Sequence, residues 1–149
     1  MEWKVKRFNE LTAAELFDIL KARQDIFIVE QACIYEDIDP NDKLAHHLFL
    51  EDKGEVISYL RILPKGVRFS EISLGRVVTR KGYRKNGYGG ILVQKAIDFV
   101  EEVLGEHEIR ISAQTYLENF YEVIGFTRVS GNYLEDGQEH CEMLYQKNH

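Results

Sequence analysis

The chain has 149 residues and a formal net charge of −6, with 44% hydrophobic and 30% charged residues. That is the balance of one soluble domain over residues 1–149, able to bury roughly 68–70% of its unfolded surface in a single core. The acidic balance argues against a nucleic-acid binder, which needs a basic stripe, and is compatible with a cationic small molecule or basic peptide as partner. No apolar run approaches ~18 residues, and Met1-Glu2-Trp3-Lys4 lacks a signal-peptide core, so no membrane span is expected and the cytoplasm is the expected compartment. Cys33 and Cys141 form no C-x-x-C and are expected as free buried thiols. With two prolines and no repeat, no linker divides the chain.

Residues 3–8 alternate, Trp3, Val5 and Arg7 against Lys4, Lys6 and Phe8, and predict a first strand. Thr12 with Glu15 three residues on is a capping box that opens a helix. Along it Leu16, Ile19, Leu20, Ile26 and Phe27 recur at helical spacing, with Arg23 on or near the stripe. An arginine so placed snorkels to the surface or pairs with an acidic group. Residues 30–42 hold Glu30, Glu36, Asp37, Asp39 and Asp42 with Tyr35 and Pro40, and no sustained period. They read as a loop or short broken helix, which is either a solvated acidic surface or a site for a substrate cation.

Residues 47–51 and 56–63 are two strands joined by the hairpin signal Asp52-Lys53-Gly54-Glu55. A turn at Pro64-Lys65-Gly66 leads to the central strand, residues 71–79. Residues 89–104 form the longest helix, with Leu92, Val93, Ala96, Ile97, Phe99, Val100 and Val103 on one face and Gly105 ending it. Residues 109–113 are a short buried strand, and residues 116–124 a short helix closed by Gly125. Residues 127–134 and 141–146 are the last two strands, joined by Glu135-Asp136-Gly137-Gln138. This order predicts an α/β (α+β) fold, a mixed sheet flanked by helices.

Between the central strand and the longest helix runs Arg84-Lys85-Asn86-Gly87-Tyr88-Gly89-Gly90. A strand, a glycine-rich turn and a helix N-terminus make an anion site, because the first helical N–H groups have no partner of their own. No Lys-Ser or Lys-Thr follows the glycines, which excludes a P-loop. The spacing and mid-chain position exclude a Rossmann turn. What remains, R-x-x-G-x-G after Arg76-Val77-Val78-Thr79, resembles the GCN5-related N-acetyltransferases (GNAT), in which this loop holds the pyrophosphate of acetyl-coenzyme A. The order of elements over the full chain and Asn119-Phe120-Tyr121 followed by Gly125-Phe126 match that family as well. Arg23-x-x-Ile26-Phe27-Ile28-Val29-Glu30-Gln31, Cys33-x-Tyr35-x-Asp37-Ile38-Asp39 and Glu135-Asp136-Gly137-x-x-His140 are similar to its ElaA-like branch.

The resemblance implies a mostly antiparallel GNAT-like sheet, acetyl-CoA as cosubstrate, and transfer to a primary amine of a small molecule or peptide by direct attack on the thioester. It implies that Arg84 to Gly90 (Arg84, Lys85, Asn86, Gly87, Tyr88, Gly89, Gly90) cradle the pyrophosphate. Val77, Val78 and Thr79 would serve the pantetheine arm and a developing oxyanion, Asn119 would help hold the cofactor, and Tyr121 would protonate the leaving thiolate. For the base, Glu71 lies on the central strand but near its start, His47 opens a strand, and a water chain is a third candidate. Arg23, Glu30, Tyr35, Asp37 and Asp39 are the acceptor-side candidates, with His140 at the substrate mouth or structural. His46, His107 and His149 make no metal-ligand spacing, so no metal is expected, and no G-x-S-x-G is present. The alternative is a non-catalytic acyl-CoA-binding module. A monomer or a homodimer paired through strand edges is compatible with the sequence.

Overall fold

In this computed structural model, residues 1–147 are described. The strands are β1 (Glu2–Arg7), β2 (His46–Asp52), β3 (Glu55–Leu63), β4 (Ile72–Thr79), β5 (Glu108–Gln114), β6 (Thr127–Arg128), β7 (Tyr133–Glu135) and β8 (Gln138–Gln146). They form one sheet in the order β1-β2-β3-β4-β5-β8-β6, with β7 also paired to β8. All neighbours are antiparallel except β4 and β5. The mixed, mostly antiparallel sheet expected from the sequence is therefore present.

Three helices cover it: α1 (Ala13–Arg23), α2 (Tyr88–Glu102) and α3 (Glu118–Ile124). α1 opens on the reciprocal cap foreseen: Glu15 N donates to Thr12 Oγ1 at 3.0 Å, and Thr12 N donates to Glu15 Oε1 at 2.9 Å. It widens into a π-helical turn, Gln24–Glu30, so the apolar stripe continues through Ile26 as predicted. Ile19, Ala22 and Ile26 pack with Phe49, Val56, Tyr59 and Val78 on one face of the sheet. On the other face, Leu92, Val93, Ala96, Ile97 and Val100 of α2 pack with Leu60, Ile62, Leu74, Ile109 and Ile111. Each such buried valine, leucine or isoleucine side chain stabilises the fold by about 1.5–3 kcal/mol.

Two hairpins close on the turns the sequence marked. Lys53-Gly54 and Asp136-Gly137 both take positive φ at the two central positions, the backbone whose twist matches the flanking strands. The strand expected over residues 127–134 is corrected to β6 and β7 with a detour between them. Arg128 Nε donates to Ser130 O at 2.8 Å, Val129 N to Glu142 O at 3.0 Å, and Glu142 N to Ser130 Oγ at 2.8 Å. These bonds replace a continuous ladder and pull the chain off the edge of β8. Both cysteines are free as expected; Cys141 is buried, whereas Cys33 is partly exposed and its Sγ donates to Asp136 O at 3.4 Å. Among the described residues no helix is long and apolar enough to cross a membrane.

Candidate active site

The site follows from how β4 and β5 part. They pair only at Ile72 with Ile109 and Ser73 with Arg110. Beyond that, β4 carries one extra residue against β3: Tyr59 faces Val78 but Arg61 faces Gly75. Such a bulge bends its strand and sharpens its twist. Arg76, at φ 54°, takes up the extra residue in the left-handed region, which a side chain with a Cβ adopts at a cost. Its guanidinium donates to Asp37 O at 3.0 Å, pairs with Asp37 Oδ1 at 3.0 Å and Asp39 Oδ2 at 3.3 Å, and lies over the Tyr35 ring. The acidic segment thus holds the bulge from outside the sheet.

Where the strands part, a cavity of about 130 Å³ opens, lined among others by Gly75, Arg76 and Val77 of β4, Ile111 to Gln114 of β5, and Tyr121. Ile111 and Ala113 belong to the core under α2, while Ser112 and Gln114 alternate to the opposite face. Residues of both faces line one space, so the cavity passes between the strands from one side of the sheet to the other.

Tyr121 stands on the α2 and α3 side. It is 4% exposed, with the rings of Phe120 and Phe126 edge-on at 5.0 and 5.6 Å. Burial pushes its phenol well above the ordinary tyrosine value. Among the described residues no protein group hydrogen-bonds its hydroxyl, which leaves that O–H for the cavity. Asn119, two residues earlier on α3, is exposed.

The glycine loop starts α2. Gly87 caps the helix at φ 79°, and the first α-helical bond is Ile91 N to Gly87 O at 3.1 Å. The N–H groups of Tyr88, Gly89 and Gly90 therefore have no intrahelical acceptor and point outward together. Gly89 packs on α3, where a Cβ would lie 3.6 Å from the Phe120 ring. Lys85 and Asn86 are exposed. Val78 is buried under α1, and Thr79 lends its carbonyl to Arg84 Nε at 2.9 Å. The rest of the Arg84 guanidinium is bonded to Glu30 at 2.8 and 2.6 Å.

Glu30 and Glu36 of the acidic segment are exposed, but its three aspartates are neither a solvated surface nor open to a substrate cation. Arg23, 0% exposed, donates to Asp37 Oδ2 at 3.0 Å and Asp42 Oδ1 at 2.7 Å. Arg61 donates to Asp39 Oδ1 at 2.7 Å and Asp42 Oδ1 at 2.9 Å. With Arg76, three guanidinium groups face three carboxylates, and the cations that Asp37, Asp39 and Asp42 hold are the chain's own. Burial by itself raises the Asp42 carboxyl; bonds and charge from Arg23 and Arg61 outweigh it and hold the group below its ordinary value. Tyr35 joins through a bond from its hydroxyl to Asp37 and lines the cavity.

The two side chains expected as bases lie away from that space. His47 is fully buried between Tyr59 Oη at 2.6 Å and Asp42 O at 2.8 Å. The carbonyl can only accept, so Nε2–H donates to it and Nδ1 accepts from Tyr59. Burial lowers this histidine. Glu71 is bound by Arg110 at 2.9 to 3.1 Å, and that pairing holds its carboxyl at about 2. Both have their lone pairs committed to partners, which removes the ground on which each was expected to act.

His140 does line the cavity, and with it come side chains that sequence reasoning had not assigned: Arg68, Ser112, Gln114, Glu135 and Gln138. Their one sequence signal is Glu135-Asp136-Gly137-x-x-His140, whose primed turn folds Glu135 back toward His140. Among the described residues no three His, Cys, Asp or Glu side chains are grouped to hold a metal; His149 lies outside the described residues.

Comparison with known proteins agrees with this geometry. The family described as "Acetyltransferase (GNAT) domain" matches residues 16–147. The chain is 37% identical to a UPF0039 protein of Schizosaccharomyces pombe over 96% of this chain and 95% of that one. It is 31% identical to the protein ElaA of Escherichia coli over 96% and 95%. The ElaA crystal structure superposes with a TM-score of 0.91, covering 98% of this chain and 100% of that one at 30% identity. A Pseudomonas aeruginosa protein described as an acyl-CoA N-acyltransferase also superposes at 0.91, with 33% identity over 97% and 99%. With the strand parting, the glycine loop and the match over nearly all of its length, the chain belongs to the GNAT acetyltransferase family.

Proposed function

We propose that this protein is an N-acetyltransferase that moves an acetyl group from acetyl-CoA to a primary amine of a small molecule or peptide. One observation carries the reading: Tyr121, whose hydroxyl has no protein partner among the described residues, lines the space where β4 and β5 separate. Acetyl-CoA supplies an acetyl thioester whose carbonyl takes the nucleophile and whose thiolate leaves. The residues present fit it. The unpaired N–H groups of Tyr88, Gly89 and Gly90 and the dipole of α2 suit a pyrophosphate. Lys85 and Asn86 flank it, and Arg84 turns to it on leaving Glu30. The parted strands offer backbone groups beside Val77, Val78 and Thr79 to an extended amide-bearing arm, and Asn119 stands at the rim. The same fit to an acyl-CoA N-acyltransferase fold from Pseudomonas aeruginosa supports the donor.

Tyr121 holds its proton, because burial keeps the phenol neutral. Between an ordinary phenol and thiol, about 10 and about 8.5, full transfer is uphill by roughly 2 kcal/mol; burial steepens it for Tyr121, so the hydroxyl acts first as a hydrogen-bond donor to the leaving sulfur. A backbone N–H at the bulge, beside Val77 or Val78, donates to negative charge developing on a carbonyl oxygen. One such donor is worth about 2.7–4 kcal/mol. Tyr35 lines the acceptor side, and Arg23, Asp37 and Asp39 stand behind the wall, holding Tyr35 and Arg76 in place.

Thermal stability with and without acetyl-CoA tests the reading, for wild type, Arg84→Ala and a Gly87→Ala/Gly89→Ala double variant. Ligand at about 100 times Kd adds roughly 2.7 kcal/mol. The expected result is a rise in wild type that shrinks in both variants, with thiol release when amines are added. A wild type unmoved by acetyl-CoA overturns the reading.

A further inference from the structure

We propose that His140, backed by Glu135, is the general base that removes protons from the acceptor amine, so that acid and base act from opposite faces of the sheet. The inference rests on the transferase reading and names the residue that reading lacks. His140 is 8% exposed and sits at the end of β8 opposite Gln114. Pairing puts it on the face of Ser112 and Gln114, away from the core that holds Tyr121. Both side chains nevertheless line the one cavity, because the cavity runs through the sheet.

The ring is set up to take a proton at one atom. Nδ1 lies 2.8 Å from Gln138 O. A carbonyl only accepts, so Nδ1 carries the hydrogen and the neutral ring keeps its lone pair on Nε2. Nε2 is 3.6 Å from Glu135 Oε2, beyond direct hydrogen-bond range and too close for anything to lie between them, so an ammonium or a water meets both atoms from beside the pair. Once Nε2 is protonated, the imidazolium lies 3.6 Å from the Glu135 carboxylate while Nδ1–H keeps Gln138 O. Arg68 and Ser112 hold the other carboxylate oxygen, Oε1, which leaves Oε2 for the histidine. The Tyr133 ring lies nearly parallel to the imidazole at 20° and its hydroxyl bonds Ser112 at 2.6 Å, fixing the ring plane. His47, by contrast, has both ring nitrogens in direct hydrogen bonds.

The groups facing His140 are Glu135 and Tyr133 from β7, Gln114 and Ser112 from β5, Gln138 on its own strand, and Arg68 through Glu135. The acceptor ammonium gives one proton to Nε2, and the freed nitrogen pair forms the C–N bond to the acetyl carbon. Nε2 passes that proton to solvent, takes the second from the nitrogen as the C–S bond breaks and releases it in turn; the bonding pair leaves on sulfur, which takes a proton from Tyr121. Tyr121 is reprotonated from solvent, so ammonium and thioester become amide, thiol and one released proton.

The test follows thiol release from acetyl-CoA with an alkyl diamine, free lysine and a short peptide with a free N-terminus. It compares wild type, His140→Gln and Glu135→Gln from about pH 5.5 to about 9. Stabilisation by acetyl-CoA is measured on each protein to show that it is folded and loaded. The expected result is a loss of about 10²–10³ in kcat for His140→Gln, with the acidic limb of the pH profile gone and acetyl-CoA binding kept. Glu135→Gln should lose about tenfold. If His140→Gln keeps kcat within about threefold and retains the acidic limb, the base assignment falls while the transferase reading stands. If wild type releases no thiol with any of the amines, both fall. Should His140→Gln fail to fold, a wild-type profile flat on its acid side, or Glu135→Gln at full rate, overturns the proposal.

Discussion

Arg84 Nη2 lies 2.6 Å from Glu30 Oε2, so the guanidinium nearest the glycine loop is tied to the last residue of the π-helical turn. The pair bridges the start of α2 and the end of the α1 arm. Both side chains are more than a third exposed, and exposed pairs of this kind contribute about 0.2–1 kcal/mol. A pyrophosphate bound at Tyr88 to Gly90 would compete with Glu30 for Arg84. Glu30→Gln is therefore expected to tighten coenzyme A binding about two- to fivefold, and Arg84→Ala to weaken it. Calorimetric titration with coenzyme A checks both, and weaker binding by Glu30→Gln would show that the carboxylate supports the loop rather than competing with the ligand.

Tyr121→Phe removes one oxygen from a side chain packed between Phe120 and Phe126. Among the described residues the hydroxyl has no protein partner, so its loss leaves no orphaned group and stability should change little. Turnover should fall about 10²-fold or more, with coenzyme A affinity nearly unchanged. Because the phenol lies above its ordinary value, no alkaline fall in rate from Tyr121 is expected below about pH 10. Unchanged kcat in Tyr121→Phe would remove it from the chemistry.

The parts legible in the sequence are those written locally. The Thr12 and Glu15 cap, the Lys53-Gly54 and Asp136-Gly137 turns and the glycine loop ahead of α2 each specify their own backbone within a few residues. The acidic segment was not legible, because the partners of Asp37, Asp39 and Asp42 come from Arg23 on α1, Arg61 on β3 and Arg76 on β4. No spacing rule joins those positions. The break between β6 and β7 depends on Ser130 meeting Glu142 across the edge of β8, again a long-range contact. The cavity arises from one extra residue on β4, which shows in the register against β3 and not in the pattern of side chains. Glu135 and His140 stood together in a motif, yet only the parting of β4 from β5 brings them to the same space as Tyr121.

Arg23 is the side chain on which the α1 side of the site depends. It lies fully buried, with Asp37 and Asp42 on it and the Tyr59 ring 5.8 Å away. Removing one partner of a buried ion pair costs about 3–5 kcal/mol, since the charges left behind stay desolvated. Arg23→Ala should therefore lower Tm by roughly 6–20 °C, at about 2–4 °C per kcal/mol for a chain of this size. Arg61 and Arg76 still hold part of the acidic segment, so the variant should fold at low temperature. A calorimetric scan checks this, and a drop under about 3 °C would mean that the cluster rearranges and re-pairs without Arg23.

Acid should lower the stability of the protein over two pH intervals. His47 is lowered, chiefly by burial; below its ordinary 6.5 the unfolded chain binds a proton there that the native state refuses, so stability falls as pH drops from that value. The second interval comes from Glu15 and Glu71. Burial would raise Glu15, but the Thr12 backbone bond, Lys6 and Lys4 together take it down to about 2. Arg110 brings Glu71 to about 2 as well. Their stabilisation is complete above the ordinary 4.5 and is lost as pH falls from there toward 2. Urea midpoints at about pH 7.5, 5.5 and 3.5 should decline at both intervals, steeply at the second. His47→Gln should lower the midpoint throughout, since it breaks the bonds to Tyr59 and Asp42 O, yet flatten the upper interval. His46, also lowered by burial, would leave a residual slope. An upper interval as steep in His47→Gln as in wild type would mean that His47 takes its proton in the native state, and the pairing with Asp42 O and Tyr59 would have to be redrawn.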